Sequence, residues 1–113
     1  MATVEDVRAV ALTLPRTTEH LIRDRVKFRV KQIVYVGFSR DETLMGFGFP
    51  REERASLVAS DDRYLLPGES DMRFQWVVCR IGELDVVEME ERVCDAWAMC
   101  VPKFLRRERL GRE

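Results

Sequence analysis

A strict alternation of apolar and basic residues over positions 25–31 limits the fold of this chain more than any other feature of its sequence. The apolar positions are Val26, Phe28 and Val30, and the basic positions are Arg25, Lys27, Arg29 and Lys31. Because successive side chains of a β-strand point to opposite faces, the segment is predicted to form a half-buried strand with an entirely basic solvent face. An apolar run over 33–38 follows after two residues, which predicts a tight hairpin through Lys31 and Gln32.

Helix and strand signals alternate along the rest of the chain. In order, we predict a helix over 3–14, a Thr-rich connecting segment over 16–22, strands over 25–31, 33–38 and 43–49, a helix over 50–60, strands over 64–66 and 74–81, and a helix from Asp85 to Pro102. A charged tail over 104–113 is expected to fray. The order α-β(3)-α-β(2)-α favours an antiparallel sheet with three amphipathic helices on one face, a two-layer α+β fold. The chain has 113 residues and no linker-like segment, so we expect a single domain over 1–113.

The formal net charge of −1 conceals a segregation of charge along the chain. Residues 16–40 contain seven basic and two acidic residues, whereas residues 41–101 contain six basic and fourteen acidic residues. Residues 102–113 are basic again, with five basic and two acidic residues. The total excludes a wholly basic nucleic-acid-binding protein, but it is compatible with a local basic patch.

The candidate binding site is the basic face of the 25–31 strand together with one nearby arginine. Its members are Arg25, Lys27, Arg29, Lys31 and Arg40. Same-face residues of a strand lie about 6.6–6.8 Å apart, so such a row of cations suits the phosphates of a nucleic-acid backbone and does not read base sequence. Two other interpretations stay open. The charged face can protect a sheet edge from aggregation, or the acidic 41–101 region can pair with it, within one molecule or between two.

The sequence contains no convincing catalytic or metal-binding pattern. Its cysteines and its single histidine, Cys79, Cys94, Cys100 and His20, lack the clustered spacing of a zinc site, so structural thiols are expected. No serine lies in a nucleophile elbow, and the adjacent carboxylate pairs at 52–53 and 61–62 are typical of surface charge. We therefore predict a protein that is not an enzyme and that has no metal and no cofactor.

The aromatic residues are expected to pack in the core. Trp76 and Trp97 are most simply interpreted as core residues. Tyr35, Phe38 and Phe47 would stack nucleic-acid bases if they were exposed, but their positions on strands favour burial.

Two glycines interrupt the 43–49 strand. Gly46 and Gly48 resemble a phosphate-binding loop only faintly, because Arg51 occupies the position of the third glycine in dinucleotide-binding loops. The better interpretation is a strand thinned so that a helix or another backbone can approach it.

Several features favour a cytoplasmic location with reduced thiols. Residues 1–6 lack the basic start of a secretion signal, and three cysteines cannot form a closed disulfide framework. No apolar stretch approaches the roughly 18 residues of a membrane span, so no membrane association is expected.

Several motifs resemble the MmcQ/YjbR family in order along the chain. Leu14-Pro15-Arg16-Thr17-Thr18-Glu19 resembles the Leu-Pro-x-Thr-Thr-Glu signature that follows the first helix of that family. Further similar segments are Phe28–Val30, Phe49–Arg54, Trp76–Val78, Asp95–Trp97 and Val101–Lys103. The resemblance covers about residues 3–105 and implies an α-β(3)-α-β(2)-α fold. It also implies DNA binding, as the family is described, with no established catalytic residues. Relatives commonly place Gly-Gly or Gly-Lys where this chain has Lys31-Gln32.

Three functions follow as hypotheses. The leading one is a non-enzymatic module that binds DNA weakly through the 25–31 face, with strong salt dependence and little sequence preference. The alternative is a protein-interaction or chaperone-like module that uses the acidic 41–101 surface or an open sheet edge. An enzyme with a small-molecule pocket is the third and least favoured. The sequence leaves the oligomeric state open.

Overall fold

The computed structural model of the chain describes residues 1–111. Its helices are α1 (Val4–Ala11), α2 (Arg51–Ser60), α3 (Val86–Ala98) and α4 (Lys103–Leu110). Its strands are β1 (Thr17–Ile22), β2 (Arg25–Val30), β3 (Ile33–Phe38), β4 (Leu44–Gly48), β5 (Tyr64–Leu65) and β6 (Trp76–Arg80). Within residues 1–111, no helix is both long enough and apolar enough to cross a membrane.

The strands form one antiparallel sheet in the order β1-β2-β3-β4-β6-β5. This confirms the α+β class and the antiparallel sheet predicted from the sequence. The predicted hairpin through Lys31 and Gln32 joins β2 to β3, with Val30 opposite Ile33.

The core lies on one face of the sheet. The inward-facing strand residues are apolar and buried, and they include Phe28, Val36, Met45, Phe47 and Val77. Helix α3 packs across β3 and β4, and α1 packs against α3. Burial of these large side chains provides most of the driving force for folding.

The opposite face of the sheet, called the open face below, stays accessible to solvent. It carries Arg25, Lys27, Leu44, Trp76 and Val78, all of them exposed or half-buried. The contrast with the buried face is what a two-layer fold with one covered sheet face requires.

The segment 16–22, predicted as a connection, is instead the edge strand β1. Its sequence Thr-Thr-Glu-His-Leu-Ile has no apolar alternation, because an edge strand buries little surface. Polar contacts hold it in place. Arg8 on α1 makes a bidentate ion pair with Glu19, with Nε and Nη2 lying 3.0 and 2.9 Å from the carboxylate oxygen Oε2. The hydroxyls of Thr17 and Tyr35 are hydrogen-bonded at 2.8 Å.

The tail predicted over 104–113 is also different, because Lys103–Leu110 forms the helix α4. Leu105 and Leu110 pack against the core, which explains why the charged segment is ordered. The helix ends at Gly111, which adopts the left-handed conformation that favours glycine at this position. Residues 112 and 113 of the predicted tail lie outside the described residues.

The first hairpin of the chain is not the one at Lys31-Gln32. It joins β1 to β2 through Arg23 and Asp24, which both have positive φ angles, of 53° and 64°. Two central residues with positive φ are typical of the type I′ turn, which Asn-Gly usually occupies. This hairpin was missed because its turn contains no glycine or asparagine.

Candidate nucleic-acid interface

An open groove of about 1090 Å³ runs along the open face of the sheet. Arg25 and Lys27 on β2 line one side, and Arg51, Arg73 and Phe74 line another. The groove therefore combines cationic and aromatic side chains on one surface.

The predicted site residues occupy different positions relative to this groove. Arg25 and Lys27 line it, as their alternation along β2 requires. Lys31 is exposed in the β2–β3 turn, with a φ of 55°. Arg40 is exposed near the β1–β2 turn, where its Nε donates a hydrogen bond of 3.2 Å to the carbonyl oxygen of Arg23. That these residues bind nucleic acid stays a prediction.

Arg29 is held by neighbouring side chains on β1. Its Nη2 lies 3.3 Å from Nδ1 of His20, and Nε2 of His20 lies 2.9 Å from the hydroxyl of Thr18. Because guanidinium nitrogens only donate, Nδ1 is the acceptor in the contact with Arg29. The Nε of Arg29 is buried and makes no hydrogen bond within residues 1–111. Arg29 is therefore less available to a ligand than Arg25 or Lys27.

The basic residues of the candidate site make no ion pair with a carboxylate within residues 1–111. Ion pairs elsewhere in the chain join Arg8 to Glu5 and Glu19, Arg63 to Asp61 and Glu88, and Arg80 to Glu83. None of them involves a candidate-site residue. Glu52 and Asp71 of the acidic region nevertheless line the same groove as Arg25 and Lys27, so pairing within one molecule and pairing between two molecules both stay open.

Trp76 is not the core residue that the sequence suggested. Its indole lies over Gly46 on the open face, where a Cβ at Gly46 would be 2.7 Å from both Cε2 and Cζ2 of the ring. Glycine at position 46 thus lets the ring lie directly on the sheet. Trp97 is a core residue as predicted, since it is fully buried and its Nε1 donates to the carbonyl oxygen of Pro15 at 2.9 Å.

The predictions for the other strand aromatic residues and for Gly48 are confirmed. Tyr35, Phe38 and Phe47 are buried and are therefore unavailable for stacking on bases. A Cβ at Gly48 would lie 3.6 Å from Cβ of Ala96, so a helix does approach β4 at that point.

Arg54 fixes the loop that leads into β6. This side chain of α2 is only 5% exposed, and its guanidinium donates to the carbonyl oxygens of Phe74 at 2.8 Å and Trp76 at 3.2 Å. A further bond goes to the carbonyl oxygen of Met72. Arg51 adds a hydrogen bond of 2.5 Å to the carbonyl oxygen of Arg73. The two arginines thereby position the aromatic side of the groove.

Sequence reasoning missed this clamp. Arg54, Leu57 and Val58 share one face of α2 at helical spacing. An arginine in an otherwise apolar stripe was the available signal, because a buried guanidinium requires acceptors.

The side chain of Phe74 is 50% exposed, and the guanidinium carbon of Arg73 lies 4.8 Å from its ring centre. This distance is typical of a cation–π contact. The pair forms a flat, positively charged rim beside Trp76.

A separate polar network connects α3 to β5 on the core side of the sheet. Arg63 binds Asp61 at 2.7 Å and Glu88 at 3.0 Å, and Tyr64 donates a hydrogen bond to Glu88. Arg92 donates to the hydroxyl of Tyr64 at 2.9 Å. The hydrogen bond from Arg63 helps to lower the pKa of Asp61 to about 2. Because these groups satisfy one another, the network explains how α3 is held to the sheet.

The thiols are poor nucleophiles. Burial raises the pKa of Cys79 to about 12 and that of Cys100 to about 11, so both are protonated at neutral pH. Within residues 1–111, no three His, Cys, Asp or Glu side chains are grouped so that they could hold a metal ion.

Comparison with known proteins connects the chain to others through its fold. No protein-family model and no curated protein matches the sequence. The crystal structure of Deinococcus radiodurans protein DR2400, which has the domain DUF419, is similar over 100% of this chain and 91% of that one. The TM-score is 0.74 and the sequence identity is 19%, so the similarity concerns the fold.

Proposed function

We propose that this chain is a non-enzymatic, cytoplasmic MmcQ/YjbR-like protein that binds DNA through the open face of its sheet. The ordered motifs between residues 3 and 105 support the family, and so does the fold shared with a DUF419 domain, which is grouped with MmcQ/YjbR-like folds. The non-enzymatic part of the proposal rests on the sequence, in which no serine lies in a nucleophile elbow and no ligands have the spacing of a zinc site.

One observation carries the proposed activity. Arg25 and Lys27 line an accessible groove, and neither is paired with a carboxylate within residues 1–111. Unpaired cations on a concave surface attract a polyanion, and the release of its counterions drives binding. Acidic Glu52 and Asp71 also line the groove. They oppose binding, so we expect the affinity to be modest.

Fluorescence anisotropy with labelled DNA at low salt tests the proposal. The variant with Arg25→Gln and Lys27→Gln removes both cations from the groove. The matched control carries Arg16→Gln and Lys103→Gln, which change the net charge equally at exposed positions outside the groove lining. We expect the first variant to bind at least tenfold more weakly than the control. Equal binding by the two variants would contradict the proposal.

A protein partner is the second candidate function, and the sheet edge favours it. β1 forms an edge of the sheet, and Leu21 on it is 71% exposed. An open strand edge can pair with a strand of another protein. Co-purification before and after nuclease treatment distinguishes the candidates, because a partner held through nucleic acid is released by nuclease and one bound at the edge is retained.

A further inference from the structure

The most distinctive feature of the groove is the indole of Trp76, which packs against Gly46 and lines the groove. Its Nε1, Cε2 and Cζ2 atoms are the ones nearest to a Cβ at Gly46, and the side chain is half-buried. Unlike the Nε1–H of Trp97, that of Trp76 donates to no group within residues 1–111. A tryptophan needed only for packing would be expected to lie in the core and to have a hydrogen-bond acceptor.

The side chain of Lys27 lies near this ring. A Cβ at Gly37 would be 3.7 Å from Cγ of Lys27 and 3.9 Å from Cζ2 of Trp76, so the two side chains flank the same point on the sheet. The groove thus combines an aromatic side chain with a neighbouring lysine. It suits a nucleotide, whose base stacks on a ring while its phosphate contacts a cation.

Resting on the DNA-binding function proposed above, we propose that the groove binds unpaired bases of single-stranded nucleic acid, with Trp76 as the stacking surface. Phe74 provides a second exposed ring at the rim, and Arg25 and Lys27 contact the backbone. A double helix does not fit this role, because its bases are stacked on one another and cannot reach a ring on the floor of a groove. Stacking accepts every base, so binding has little sequence preference.

The charges of the groove favour this ligand over a peptide. Its charged lining consists of the basic residues Arg25, Lys27, Arg51 and Arg73 and the acidic residues Glu52 and Asp71. The excess of positive charge selects an anion, and the aromatic rings select a planar group. An acidic peptide meets only the first condition.

Intrinsic fluorescence tests the inference directly. The sequence contains two tryptophans, and the fully buried Trp97 provides an internal reference that stacking cannot reach. Titration with an unlabelled thymidine oligonucleotide of about ten nucleotides should quench the emission of Trp76. A hairpin duplex of equal charge should quench it little and should bind at least tenfold more weakly.

Two variants at Trp76 test whether binding requires an aromatic ring at this position. Trp76→Ala should lower the affinity for the oligonucleotide about tenfold or more, whereas Trp76→Phe, which keeps an aromatic surface, should lower it less. Circular dichroism checks that each variant folds. If Trp76→Ala does not fold, Trp76→Phe and the quenching of the unmodified protein decide the question.

The other results of the binding and quenching experiments would each contradict a different part of the inference. Equal binding of duplex and single strand, with no quenching, would overturn the stacking role and leave the proposed DNA binding intact. Displacement of the oligonucleotide by poly-glutamate at equal charge would assign the groove to an acidic protein. Absence of binding by both nucleic acids at low salt would overturn this inference and the proposed function together.

Discussion

At the residue scale, Arg54 determines the shape of the groove without lining it. Its guanidinium donates to the backbone carbonyl groups of Met72 and Phe74 in the loop before β6 and to that of Trp76, the first residue of β6. We predict that Arg54→Met lowers the free energy of unfolding by about 2 kcal/mol, because it leaves buried acceptors without donors. Urea denaturation measures the loss, and hydrogen exchange should show faster opening of residues 72–76. Arg51→Met, at an exposed position, provides the comparison and should cost less than half as much.

Gly46 and Gly37 form a matched pair on the open face. A Cβ at Gly46 would collide with the indole of Trp76, whereas a Cβ at Gly37 would have its nearest contact at 3.7 Å. We predict that Gly46→Ala displaces the ring and lowers the free energy of unfolding by about 1–3 kcal/mol. The Trp76 emission should shift to the red, while Gly37→Ala should leave the spectrum unchanged. Equal spectra for the two variants would show that the ring does not lie on Gly46.

The buried thiols make stability depend on alkaline pH. The pKa of Cys79 is about 12 in the folded protein, against 9.0 for an unperturbed thiol. The unfolded chain therefore loses the proton first, so stability is fully present below pH 9 and falls as the pH rises toward 12. Urea denaturation at pH 8 and at pH 10.5 measures the fall. Cys79→Ala should reduce the difference between the two pH values, and an unchanged difference would assign it to other groups.

At the element scale, the turn between β1 and β2 contains residues that are unfavourable for its backbone conformation. Arg23 and Asp24 both have positive φ angles, which cost energy for residues with a Cβ. Replacing the pair by Asn-Gly should raise the free energy of unfolding by about 0.5–1 kcal/mol. Thermal denaturation checks the gain. A loss of stability would mean that the side chains of the turn contribute contacts that outweigh the strain.

Elements with apolar periodicity were predictable, and elements held by polar contacts were not. Helix α3 and strands β2 and β3 follow directly from their patterns of buried residues. Strand β1 was not predicted because an edge strand buries little apolar surface, and backbone pairing with β2 and the ion pair between Arg8 and Glu19 hold it in place. Helix α4 was not predicted because only two leucines, Leu105 and Leu110, pack its otherwise charged sequence against the core.

In the candidate site, too, the sequence pattern predicted the positions of some residues and not of others. Alternation along β2 placed Arg25 and Lys27 on the open face correctly. Trp76 was assigned to the core, because sequence alone does not show which face of a sheet is covered when apolar residues occupy both faces of β6. The contact with Gly46 places Trp76 on the open face, and that contact depends on the pairing of β4 with β6.

At the scale of the whole molecule, the charge segregation along the sequence survives folding. Within residues 1–111 the basic residues of β2 make no ion pair with a carboxylate, although Glu52 and Asp71 line the same groove, so the near-zero net charge does not describe the surface that a ligand meets. A local field of this kind acts over roughly one Debye length, about 10 Å at 0.1 M salt. Binding through the groove should consequently weaken steeply as salt is added.

The salt dependence of DNA binding tests the central claim most directly. Anisotropy titrations of a labelled single strand between about 20 and 200 mM salt give the slope of log K against log salt. If the open face binds the backbone, the variant with Arg25→Gln and Lys27→Gln should reduce the magnitude of that slope by about 1–2, roughly one for each lost phosphate contact. The control with Arg16→Gln and Lys103→Gln should leave the slope unchanged. Equal slopes for the two variants, or no binding at 20 mM salt, would contradict the account.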